Sequence, residues 1–201
     1  MENLSKLLAY TVDRHYPDLR NSDDLPFAFF QAVLDRQADL ISRWMLVGFV
    51  HGVMNTDNVS IAGETIDYGP CAFLDIYHPE TVFSSIDHQG RYAFQNQPSI
   101  TQWNLARLAE SLVQVVPGDP EDAVGRFVEI LETFSSCYEK YFQIGANAKL
   151  GLTTLEKEDS AIYSDLLNIM EESQLDFTET FDTLADGIER AEVGPRFSNI
   201  V

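Results

Sequence analysis

Two short stretches carry the residues best suited to chemistry: His-Gly-Val-Met-Asn-Thr-Asp-Asn from His51 to Asn58, and Asp-Tyr-Gly from Asp67 to Gly69. Between them, Val59-Ser60-Ile61 and Thr65-Ile66 are β-prone pieces separated by Ala62-Gly63-Glu64, the make-up of a small hairpin. If that hairpin turns about Gly63, residues 57 to 59 face residues 67 to 69. Opposed residues on an antiparallel pair have Cβ atoms roughly 4.5–5.5 Å apart, so Asp57 or Asn58 meets Asp67 across a narrow gap. Two carboxylates and an amide oxygen so arranged suit a hard cation such as Mg2+, which takes one or two carboxylates and completes its shell with water and phosphate. The same residues also make an ordinary turn, because Asn and Asp side chains bond their own backbone and tolerate unusual dihedrals. Composition and spacing by themselves favour the turn, since short Asp/Asn motifs recur by chance.

Spacing against a longer template weighs the other way. Protein kinases carry His-Arg-Asp-Leu-x-x-x-Asn followed by Asp-Phe-Gly, in which the Asn and the second Asp hold magnesium. Counted from His51, Asn58 falls at the magnesium-binding Asn, and Asp67-Tyr68-Gly69 stands at the Asp-Phe-Gly position. The template's catalytic Asp falls on Val53, which cannot accept a proton. Ordinary kinase chemistry is thereby put in question, and Asp57 is the nearest replacement base.

The run G-F-V-H-G-V-M-N-T-D-N-V-S-I-A-G-E-T-I-D-Y-G-P from Gly48 to Pro70 resembles the selenoprotein O family (SelO, YdiU in bacteria), a family of pseudokinases. The resemblance continues through Phe73-Leu74-Asp75, Ser85-Ile86-Asp87, Gly90-Arg91-Tyr92, Gln97-Pro98 and Trp103-Asn104-Leu105. It implies protein adenylylation, the transfer of AMP from ATP to a Ser, Thr or Tyr hydroxyl of a protein substrate. It also implies that Asp57 is the proton acceptor, that Asn58 and Asp67 are ligands of Mg2+ (with Mn2+ as a substitute), and that Asp67 lies near the ATP phosphates. The fold implied is a mainly α, kinase-like C-lobe with a small β hairpin at the metal site. On that pattern residues 1–192 form the lobe, with a catalytic loop at 50–58, a metal hairpin at 59–69, an activation-type loop at 70–98, a helical remainder at 99–192, and a loose tail at 193–201.

The chain departs from the family pattern in one respect that bears on activity. Members of the family are more than twice as long and carry an N-terminal nucleotide-binding lobe with a glycine-rich loop and an ATP-binding Lys. Here there is no G-x-G-x-x-G, and Lys6 is the only Lys before the motif. Phe83 stands where some members have an activation-loop Cys. The expectation is therefore a fragment or truncated relative, inactive by itself. The alternatives are kinase-type phosphotransfer and a catalytically silent binding or regulatory module.

The elements that must position these residues are mostly helical. Leu4, Leu7, Leu8 and Val12 mark a short amphipathic helix over residues 4–16; Asp23 or Asp24 caps a long one in which Phe30, Val33, Leu34, Ala38, Ile41, Trp44 and Met45 recur at helical spacing to an end near Gly48. Residues 69–98 lack clear periodicity, which marks a functional or mobile loop. Ser99 and Gln102 have the spacing of a capping box before a helix to Val116, and Asp119-Pro120 opens a helix running to Tyr138. Weaker helices are expected at 158–173 and 177–190. His51 reads as a packed, orienting residue; His15, His78 and His88 lack ligand spacing. Cys71 and Cys137 show no pairing pattern and read as free thiols.

Composition bounds the partners. A formal charge of −19 disfavours nucleic acid backbones and anionic membranes. No apolar run approaches the roughly 20 residues of a membrane span, and the first residues lack the pattern of a signal peptide, so a cytoplasmic location is expected. The missing lobe leaves an apolar surface for which self-association is expected.

Overall fold

The computed structural model describes residues 2–152 and 159–189, and it is mainly helical. Among the described residues, seven α-helices follow in chain order: α1 (Glu2–His15), α2 (Leu25–Leu46), α3 (Gln97–Leu112), α4 (Pro120–Glu132), α5 (Phe134–Lys149), α6 (Asp159–Glu172) and α7 (Phe177–Glu189). Two strands, β1 (Phe49–Val50) and β2 (Ala72–Phe73), pair antiparallel with Phe49 opposite Phe73 and Val50 opposite Ala72. The chain divides into two compact units. One comprises Met1–Ile41, Met54–Asp67 and Pro98–Tyr138; the other comprises Ser42–Val53, Tyr68–Gln97 and Glu139–Val201.

The first unit is organised by α1, most of α2, most of α3, and α4. Helix α2 starts at Leu25 directly after Asp24, whose carbonyl accepts from the N–H groups of Phe27 and Ala28. Its apolar stripe is buried as the spacing predicts, through Phe30, Val33, Leu34, Ala38 and Ile41. Phe127 of α4 packs between Phe27 and Phe30 of α2, with ring centroids 4.5 and 5.3 Å away. Asp119 caps α4 as expected, accepting from the Glu121 N–H at 2.9 Å ahead of Pro120.

The second unit has its own core, formed by Leu46, Val50, Leu74, Tyr77, Phe94, Ala146, Tyr163, Met170, Phe177 and Phe181. Its aromatic members contact one another in sequence: Tyr77 meets Phe94 and Phe177, Phe177 meets Phe181, and Phe181 stacks on Tyr163. Residues 68–96 hold little regular structure, in line with the absence of periodicity. They are tied down instead by single contacts, such as Leu74 N–H to Gly48 O at 2.8 Å and Tyr77 N–H to Leu175 O at 2.9 Å.

Three expectations need correction, and one pairing was not expected. The hairpin over 59–69 reduces to one antiparallel bridge, Val59 with Thr65, because the carbonyls of Ser60, Ile61 and Ala62 accept from side chains instead of from an opposing strand. The β1–β2 pair was not foreseen, since two-residue strands leave no alternating pattern to read. Helix α3 begins at Gln97, so Ser99 lies inside it and makes no capping box. The helix expected from Asp119 to Tyr138 is divided at Thr133 into α4 and α5, and the second piece continues to Lys149. The last two helices fall close to their expected bounds, while the tail at 193–201 lies outside the described residues.

Candidate active site

The segment carrying Asp57 and Asn58 is fixed at its start. Met54 is buried, and the Asn104 side-chain amide donates to its carbonyl at 2.9 Å. The chain then makes a 3-10 turn over Thr56–Asn58, closed by the Asn58 N–H on Asn55 O at 3.0 Å. A tight turn places Asp57 in solvent and leaves Asn58 half-buried. After the Val59–Thr65 bridge the chain reaches Asp67, whose φ of 55° lies in the left-handed region. Asp is among the few non-glycine residues that adopt this conformation readily, because its short polar side chain bonds locally.

The two predicted ligand residues come together: Asn58 Nδ2 lies 3.2 Å from Asp67 Oδ2. The detail differs from the oxygen-to-oxygen arrangement that a cation requires. Here the amide donates to the carboxylate through its nitrogen. Rotation about the terminal side-chain torsion of Asn58, a soft and roughly two-fold angle, exchanges nitrogen for oxygen. Asp57 stands next to Asn58 on the same 3-10 turn, with an exposed carboxylate. Among the described residues, no group of three or more His, Cys, Asp or Glu side chains gathers as a closed metal cage. The donor set at this site is one carboxylate and one amide. That fits Mg2+ or Mn2+, which keep several positions for water and substrate phosphate, and does not fit a structural zinc centre.

In the other unit, His51 is a packing residue, as expected. It is fully buried, stacks on Trp44 with centroids 5.3 Å apart, and meets Phe49 edge-on. Its backbone N–H donates to Gln97 Oε1 at 2.9 Å, and Gln97 Nε2 donates to Phe49 O at 2.8 Å. Gln97 thus replaces a strand partner for β1 and for the residue after it. Gly52 has φ of 83°, and a Cβ there would lie 2.8 Å from Pro70 O, so the backbone after His51 passes too close for any other residue. Cys71 and Cys137 are half-buried free thiols. His78 and His88 are exposed, and Arg91 sits in a loop whose N–H groups at Arg91 and Tyr92 are capped by the Asp87 carboxylate. Phe83 is exposed.

Sequence reasoning did not assign roles to Gln97, Asn104 or Gln37. Each is a nearly fully buried amide that satisfies a backbone carbonyl outside the α-helices. For Gln37 a signal existed: it occupies a core position on the apolar stripe of α2, between Leu34 and Ile41. Gln97 and Asn104 stood out only as part of a family pattern, with nothing in their spacing to say what they bond.

Comparison with known proteins places the chain in a family. The family model described as protein adenylyltransferase SelO matches residues 1–195. A protein nucleotidyltransferase YdiU from Alcanivorax borkumensis is 50% identical over 190 residues, covering 94% of this chain and 39% of that protein. The proteins of the same name from Rhizobium etli and Bacillus mycoides are 48% and 50% identical, over 96% and 94% of this chain. The chain therefore spans about 39% of the length of the curated relatives it matches.

Proposed function

The chain belongs to the SelO family of protein adenylyltransferases, and on that premise we propose that it is the cation-binding, base-bearing segment of an enzyme that moves AMP from ATP to protein hydroxyls. The observation that carries this reading is the 3.2 Å approach of Asn58 and Asp67, next to the exposed carboxylate of Asp57. Asn58 and Asp67 are the residues suited to hold Mg2+ or Mn2+. When bound, such an ion neutralises phosphate charge and orients the phosphates for displacement. Asp57 has the role of base: it accepts the proton of a Ser, Thr or Tyr hydroxyl as that oxygen bonds to the α-phosphorus. The bond from the α-phosphorus to the bridging β-oxygen breaks, and pyrophosphate leaves. Val53, at the kinase base position, cannot take that proton, which is why the reading favours Asp57 and an altered mode of transfer. The helical architecture is read as the kinase-like C-lobe of this enzyme.

ATP labelled at either the α- or the γ-phosphate separates the readings. The assay is run with Mg2+ on the chain alone and on the Alcanivorax borkumensis relative with this chain in place of its 190 matching residues. Retention of the α label on protein in the second case, lowered about 100-fold or more by Asp57→Asn, is the expected result. Transfer of the γ label alone indicates phosphorylation, and transfer of neither indicates a binding module.

A further inference from the structure

Resting on the cation site just described, we infer that Tyr16, Arg36 and Gln37 are positioning residues for it, acting as a clamp on the loop that joins Asn58 to Asp67. Three consecutive carbonyl oxygens of that loop accept from three side chains on neighbouring helical segments. Gln37 Nε2 donates to Ser60 O at 2.7 Å, the Tyr16 hydroxyl donates to Ile61 O, and Arg36 Nη1 reaches Ala62 O at 3.4 Å. The clamp members also hold one another. The Arg36 guanidinium lies 4.0 Å from the Tyr16 ring centroid, and its Nη2 donates to His15 O at 3.0 Å. Tyr16 in turn packs edge-on against Phe29 at 5.4 Å. Gly63 closes the arrangement: a Cβ there would come within 2.8 Å of Arg36 Cβ, so the loop lies directly on α2.

This arrangement has a purpose that packing alone does not explain. A site with two protein donors depends on the distance between them, and here the donors are separated by a loop whose ladder is one bridge. Such a loop has many conformations of similar energy unless outside groups choose one. Gln37 is 1% exposed on the buried, mostly apolar face of α2, where an unbonded amide is unfavourable. Its presence there makes sense if the position of Ser60 matters. Burial pushes the Tyr16 phenol up to about 12, so it remains a donor throughout the neutral range. Partners that orient metal ligands from outside typically change metal affinity by about 10–100-fold when removed.

The test is Mn2+ titration of the 201-residue chain, followed by electron paramagnetic resonance, for wild type, Asp67→Ala and the double variant Tyr16→Phe, Gln37→Leu. The double variant is expected to bind Mn2+ about tenfold more weakly than wild type. Tyr16→Phe alone keeps the ring contacts, so it is a fallback if the pair folds poorly; it is expected to shift affinity in the same direction by a smaller factor. Phe127→Leu, which destabilises the same unit through Phe27 and Phe30, is expected to leave Mn2+ affinity unchanged. The side-chain amide signals of Asn58 give a second readout by NMR: they should move in the clamp variants and not in Phe127→Leu. Clamp variants that bind Mn2+ like wild type, while Asp67→Ala loses it, overturn the clamp and leave the site standing. Wild type that binds no better than Asp67→Ala overturns the site and the clamp's role together.

Discussion

Asp67 combines a left-handed backbone with a carboxylate placed against Asn58, and neither feature is visible in its residue type. What the sequence did carry at this scale was spacing: the interval between Asn58 and Asp67, and the valine at Val53, were readable before any coordinates. The orientation of the Asn58 amide was not, because it depends on which hydrogen bond the local geometry favours. The buried amides show the same limit. Gln97 bridges Phe49 O and His51 N–H, so Gln97→Leu leaves both unpaired in the core. With roughly 1–3 kcal/mol for each unsatisfied group, the expected loss is about 2–6 kcal/mol, read from urea unfolding. Lys149 gives a prediction in pH. It lies over the rings of Phe177 and Phe181 and donates to Leu46 O, and burial lowers its pKa from 10.5 to about 8. Between those values the unfolded chain holds a proton that the folded chain has released, so this group makes stability rise with pH. The urea midpoint of wild type, relative to Lys149→Met, should increase between about pH 7.5 and about pH 9.5.

Helices with a clear apolar stripe were legible at the scale of elements. α1 and α2 fall within a few residues of the expected bounds because their burial follows a 3.6-residue repeat, and α6 and α7 do so on a weaker pattern. Elements set by tertiary partners were not. The β1–β2 pair is too short to leave a pattern, and the 59–67 loop gives its carbonyls to Tyr16, Arg36 and Gln37 from distant segments. The break at Thr133 leaves no mark in the apolar spacing. Close packing between elements yields a further prediction at Gly145 of α5, where an added Cβ would lie 2.2 Å from Leu46 Cδ1. Alanine gains about 1 kcal/mol of helix propensity over glycine. Displacing a core leucine costs about 1–3 kcal/mol, so Gly145→Ala is expected to lower the thermal midpoint.

For the molecule as a whole, the charge of −19 is the dominant long-range property. Self-repulsion opposes compaction and is screened within about 10 Å at 0.1 M salt, so adding salt should raise the thermal midpoint by about a few degrees. The second unit exposes apolar side chains at Tyr68, Phe73, Ile76 and Ile86, and Tyr68 and Phe73 both meet Phe49. We expect this surface to drive self-association. Light scattering at high protein concentration should show it, with less in Phe73→Ser; a monodisperse monomer in wild type counts against it. Among the described residues no helix is long and apolar enough to cross a membrane. The proposed site divides its labour, with Asn58 and Asp67 holding the ion and Asp57 taking the proton. Mn2+ affinity, measured by electron paramagnetic resonance on Asn58→Ala, Asp67→Ala and Asp57→Asn side by side, tests it most directly. The first two variants should lose the ion while Asp57→Asn keeps it. Equal binding by all three and wild type would contradict the assignment of Asn58 and Asp67 as its ligands.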